Sequence, residues 1–193
     1  FVRFDDLPPN PRYREVDAAL NPTGSELDPS DLSFLDELGE LVDRAGMLEA
    51  FRIISGGQYS HPRGVQFGGQ HASWSRRTLE RVWADHLPGS KQAIVLDIHT
   101  GLGPVGRLTV FQTADAHEPA ADLGQRLYPD HLYRADRSEE EPFDTGLLGP
   151  GFDAWAAAQA APIQTASFVL EFGGLDVVNG LTAFRADNWL HHH

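Results

Sequence analysis

The 193 residues contain no cysteine, a single methionine and a single lysine, Lys91. Without thiols there are no disulfides, thiolate nucleophiles or cysteine-based zinc sites, so any metal must be held by His, Asp or Glu. Lysine chemistry has one candidate, and nothing around Lys91 singles it out. Positive charge is scarce altogether: 15 Lys+Arg face 28 Asp+Glu, a net charge of −13. That balance speaks against a nucleic-acid partner and against an anionic membrane surface. No apolar run approaches the ~20 residues of a membrane span. No secretory leader is visible, so a cytoplasmic location is expected. There is no internal repeat and no linker. With 41% hydrophobic residues, the chain reads as one packed domain, 1–193.

Pro8, Pro9 and Pro11 keep the start irregular, and a short helix is expected over Arg12–Leu20, stopped by Asn21-Pro22. Asp28-Pro29-Ser30-Asp31 reads as a helix start, followed by Leu32, Leu35, Leu38, Leu41 and Val42 at helical spacing. Gly46 divides this helix from a second one to about Ile54, with Leu48, Phe51 and Ile54 as core. A long glycine-rich loop runs over Gly56–Gln70. Ser73 is placed to cap the next helix, which ends near His86 with Leu79, Val82 and Trp83 inward. Gln92 to His99 is the clearest strand, apolar enough at its start to be buried on both faces. Further strands are expected over Arg107–Thr113 and Thr165–Glu171, and helices over Gly151–Ala161 and Leu175–Leu190. Residues 114–150 are ambiguous, with Ser138–Pro142 an acidic, solvated stretch. Helices alternating with buried strands predict an α/β sandwich around a mixed, mostly parallel sheet, whose sites form at the carboxyl ends of its strands.

Both best strands end in a chemically capable residue followed by glycines: Asp97-Ile98-His99-Thr100-Gly101 and Glu171-Phe172-Gly173-Gly174. Residues i and i+2 of a strand share a face, so Asp97 and His99 lie on one side. A ligating imidazole with a carboxylate behind it is one reading; a His–Asp pair satisfied by ordinary hydrogen bonds is the other. A carboxylate ending a core strand, as Glu171 does, must be solvated, paired or functional. As a general base it would take a proton from water; as a structural group it would form a salt bridge or cap the following helix. In the glycine-rich loop, Tyr59, His61 and Arg63 are candidates to bind a carboxylate or carbonyl oxygen, against ordinary loop packing.

Asp97-Ile98-His99-Thr100-Gly101-Leu102-Gly103 and Leu170-Glu171-Phe172-Gly173 resemble the zinc carboxypeptidase superfamily. The Asp-x-His-Thr form is closest to its aspartoacylase and succinylglutamate desuccinylase branch. More closely still, Gly57-Gln58-Tyr59-Ser60-His61-Pro62, Gly68-Gly69, Ser73-Trp74-Ser75 and Asn188-Trp189-Leu190-His191-His192-His193 are similar to a carboxypeptidase-like bacterial group of unknown function within that superfamily. The resemblance implies a three-layer zinc carboxypeptidase-like sandwich, zinc as cofactor and hydrolysis of an amide bond. The substrate would be a peptide or an N-acyl amino acid. It also implies His99 as a metal ligand, Glu171 as the base that activates water and Asp97 as the carboxylate orienting a ligand.

The departure from that pattern is large. The superfamily's His-x-x-Glu ligands have no counterpart, because none of the nine histidines has a Glu three positions on. The chain also opens on Phe1, where an Asn-Arg substrate-binding pair should precede. The expectation is therefore the C-terminal part of a zinc carboxypeptidase-like catalytic domain, with an N-terminal portion missing and no activity on its own. The terminal histidines read as native, and metal bound by them alone as adventitious. A non-catalytic binding module on the same fold is the main rival. A metal-free serine hydrolase with His99 as base is weaker, since no Gly-x-Ser-x-Gly turn occurs.

Overall fold

Leucine spacing builds helices in the first part of the chain, and short apolar runs such as Ile94-Val95-Leu96 and Phe168-Val169-Leu170 build strands further along. The computed structural model describes residues 2–7, 9–101, 104–112, 119–133, 146–174 and 176–193. Much of the ambiguous span, including Ser138–Pro142, and Leu102 and Gly103 of the glycine-rich motif lie outside the described residues. The residues group into two compact units. One comprises Phe1–Arg3 and Ala72–Leu175, the other Phe4–His71 and Asp176–His193.

The first unit is a mixed α/β layer arrangement. With helices numbered in chain order, Ser73 caps α4 (Trp74–His86) by accepting from the Arg76 amide at 3.1 Å. Strands β1 (Gln92–Gly101), β2 (Leu108–Gln112), β3 (Leu132–Tyr133) and β4 (Gln164–Gly173) form one sheet in the order β1-β4-β2-β3. β1 runs parallel to β4 and β2 parallel to β3, while β2 and β4 are antiparallel, so the sheet is mixed as expected. Phe168, Ala166 and Val110 share one face, where Leu123 and Tyr128 from α5 (Pro119–Leu127) and the turn after it pack. On the other face, Ser167 donates to Asp153 of α6 (Leu148–Ala157) at 3.1 Å. There Trp83 meets Phe152 edge-on, with ring centroids 5.0 Å apart.

β1 corrects one expectation. Its apolar start does not mean burial on both faces, because it is an edge strand. Ile94, Leu96 and Ile98 are 52%, 50% and 69% exposed. Val82, expected inward, is likewise exposed, and Trp83 alone of its helix is deeply buried.

The second unit is helical. A 3-10 turn (Pro11–Glu15) leads into α1 (Asp17–Leu20), and α2 (Phe34–Ala45) and α3 (Met47–Ser55) follow. α2 begins later than the Asp28-Pro29-Ser30-Asp31 text suggests. Asp28 and Asp31 accept from the backbone of Ser30 and Ser33, closing tight turns instead of a cap. Hydrogen bonds from the same serines hold both carboxyls below their usual range. Gly46 separates α2 from α3 with φ of +84°, a conformation that costs a residue with a Cβ about 1 kcal/mol or more. The core here is Tyr13, Val16, Leu20, Phe34, Leu38, Leu41, Ala50 and Ile53. Leu48 and Phe51, expected in it, are exposed. α3 is apolar around most of its circumference, so spacing alone does not fix which stripe faces in, and the Ala50–Ile53 stripe does. α7 (Val177–His192) belongs to this unit, and its Arg185 lies over the Phe34 ring at 4.9 Å. No helix among the described residues is long and apolar enough to cross a membrane.

Candidate functional site

The parallel pairing of β1 with β4 sets His99 directly across from Glu171. Because partners in register share a sheet face, the imidazole, Glu171 and Asp97 emerge on one side at the strands' carboxyl ends. His99 Nδ1 lies 3.3 Å from Glu171 Oε1, and His99 Nε2 lies 3.1 Å from Asp97 Oδ1. A neutral imidazole carries one N–H and can donate to only one of these carboxylates; a protonated ring donates to both. The three groups differ in access. The Glu171 side chain is 10% exposed, Asp97 24% and His99 43%. The ring therefore bridges a buried carboxylate and solvent.

The backbone around the site is stapled across the strand ends. Gly106 N–H donates to Gly173 at 3.0 Å, and Gly173 N–H donates to Arg107 at 2.9 Å. Two carboxylates face one histidine, and such an arrangement is chemically able to move a proton between a buried oxygen and an accessible ring.

The other candidates, Tyr59, His61 and Arg63, lie in the second unit. Gln58, wholly buried, organises their loop. Its side-chain N–H donates to the His61 carbonyl at 2.8 Å, and its side-chain oxygen accepts from the amides of Ser60 and His61 at 3.0 and 2.7 Å. Tyr59 packs edge-on against Phe4, and burial pushes its hydroxyl pKa up. His61 Nδ1 lies 2.8 Å from the Ser60 hydroxyl, with Nε2 4.0 Å from Asp17 Oδ2. Arg63 donates to the His192 carbonyl at 3.0 Å. His61 and Arg63 line a common cavity, and Tyr59 does not line it.

Sequence reasoning missed the residues that fix this loop. Tyr13 is buried and its pKa is raised to about 12, chiefly by that burial; its hydroxyl donates to the Val65 carbonyl at 2.8 Å. Asn21 accepts from the Val65 amide at 2.8 Å, and Asn188 of α7 bridges Asn21 and the Arg63 carbonyl. Asn21 sits before Pro22 at a helix end, where an asparagine reads as punctuation, so no local signal marks it.

Among the described residues no group of three or more His, Asp or Glu side chains could hold a metal ion. No curated protein and no solved structure matches the chain. One family model matches residues 1–193 in full, and the chain belongs to that family, described as a protein of unknown function, DUF2817.

Proposed function

We propose that the chain carries the proton-handling end of a carboxypeptidase-like hydrolase of amide bonds, on a three-layer sandwich of the zinc carboxypeptidase type. The observation that supports this reading is the convergence of Asp97, His99 and Glu171 at the ends of two parallel strands. The substrate class is a peptide cleaved at its carboxyl end; an N-acyl amino acid, as in the deacylase branch, uses the same chemistry.

Zinc is the metal this resemblance brings with it, and the described residues do not fit it alone. At the Asp97–Glu171 site they supply one imidazole, and both its nitrogens already face carboxylates. No three-ligand group accompanies it among the described residues. No step is therefore routed through a metal. Glu171 takes a proton from the attacking water as the new C–O bond forms, then delivers it to the leaving amine nitrogen as the C–N bond breaks. In its imidazolium form, which donates from both nitrogens, His99 positions the Glu171 carboxylate through Nδ1 while Asp97 fixes the ring through Nε2.

A second reading, a binding module without catalysis, is favoured by the missing ligand set. The deciding experiment measures bound zinc and peptide turnover on the same sample of the full-length protein, with wild type and Glu171→Gln. Turnover that drops at least about 100-fold in Glu171→Gln supports the base assignment. Unchanged turnover in that variant overturns it. Saturable peptide binding with neither zinc nor turnover favours the module.

A further inference from the structure

The second unit holds a cavity of about 360 Å³, built by three segments far apart in sequence: the end of α1, the Ser60–Gly64 loop and the end of α7. Its walls are fixed in advance. Trp189 Nε1 donates to the Gly24 carbonyl at 2.9 Å, and Asn188 ties the loop to Asn21. The Trp189 ring is stacked on His193, with centroids 4.7 Å apart. Pro22 and Pro62 add apolar surface.

The lining is mixed in charge. In a protein of net charge −13 with histidine counted neutral, this cavity places the Arg63 guanidinium and the imidazoles of His61, His192 and His193 beside one side-chain carboxylate, Asp17. Asp17 is already engaged, with Oδ1 2.9 Å from the Asn21 side-chain nitrogen. Arg63 meets a carbonyl and, among the described residues, no carboxylate within ion-pair distance. Burial first, and then Arg63, His191 and His193, hold the His192 ring below its ordinary pKa.

We propose that this cavity binds the carboxylate of a small organic acid, with Arg63 as its planar two-pronged donor, His61 and His193 as further donors, and Trp189, Pro22 and Pro62 against the apolar body. A single guanidinium matches a two-oxygen planar anion better than it matches a phosphate. The volume lies at the small end of ligand sites, suited to a one-ring acid. The inference does not rest on the hydrolase reading, since none of Asp97, His99 or Glu171 lines this cavity.

The test is titration of the whole chain with benzoate, benzyl alcohol and inorganic phosphate, read by calorimetry and amide chemical shifts. Saturable benzoate binding is expected, weakened at least about tenfold by Arg63→Met without loss of Tm. If Arg63→Met lowers Tm, His193→Ala at the chain end provides the same reading, and an unchanged affinity in it overturns the proposal. Benzyl alcohol binding as well as benzoate, phosphate binding better, or no saturation with any of them overturns it too.

Discussion

β1 and β4 are ten residues each, run parallel and pair residue for residue from Gln92↔Gln164 to Gly101↔Gly173. Their compositions are alike, yet their surroundings are not. β4 lies between β1 and β2, with helices packed on both faces, and buries Ala166, Phe168 and Glu171. β1 is the edge, and its row Ile94, Leu96, Ile98 stands half or more exposed beside Ala166, Phe168 and Leu170. Burial here follows place in the sheet rather than residue type. The candidate site shares the same asymmetry. The central strand supplies the buried carboxylate, Glu171, and the edge strand supplies the accessible ring, His99.

The sharpest way to break this comparison is a matched truncation across one register pair, Leu96↔Phe168. Phe168 is 1% exposed, and Phe168→Ala is expected to cost about 3–5 kcal/mol through lost burial and a residual cavity. Leu96 is 50% exposed, and Leu96→Ala is expected to cost under about 1.5 kcal/mol. Urea unfolding of both variants measures the two costs. Equal costs would mean that the strands are equally buried in solution.

A smaller effect probes what covers β4 and leaves β1 bare. Gly124 of α5 sits so close to the sheet that an added Cβ would overlap the Gln112 side-chain amide and come within 3.0 Å of Phe168. Gly124→Ala is therefore expected to destabilise by about 1–3 kcal/mol, although alanine is the better helix former. A neutral or stabilising result would show that α5 does not press on β4 as described.

The two strands and their polar ends could be read from the sequence, and the contrast between them could not. Alternation alone put Asp97 and His99 on one side of a strand. Ser73 before a helical pattern located a cap, and the strand bounds at Gln92 and near Gln164 came from apolar runs. The pairing of His99 with Glu171 depends on which strand neighbours which across about seventy residues of sequence, and no local pattern encodes a register. The exposure of β1 was hidden for the same reason: a run such as Ala93-Ile94-Val95-Leu96 fits a central strand and an edge strand equally well. In the second unit, Gln58, Asn21 and Asn188 act through long-range hydrogen bonds to backbone atoms, which leave no spacing to detect.

The smallest effect gives the most direct reading of the edge. Ile98 is 69% exposed, two-thirds along β1 between Asp97 and His99, with its side chain on the opposite face from both. Ile98→Thr keeps the β-branch that suits a strand and removes only apolar surface that already meets water. The stability change is expected to stay within about 0.5 kcal/mol. The His99–Glu171 geometry, followed by the imidazole resonances, should not move. A loss of several times that size would mean that another surface covers this row in solution. The protein-concentration dependence of the unfolding midpoint would then separate a second copy of the chain, which makes the midpoint rise with concentration, from a segment of the same chain, which does not.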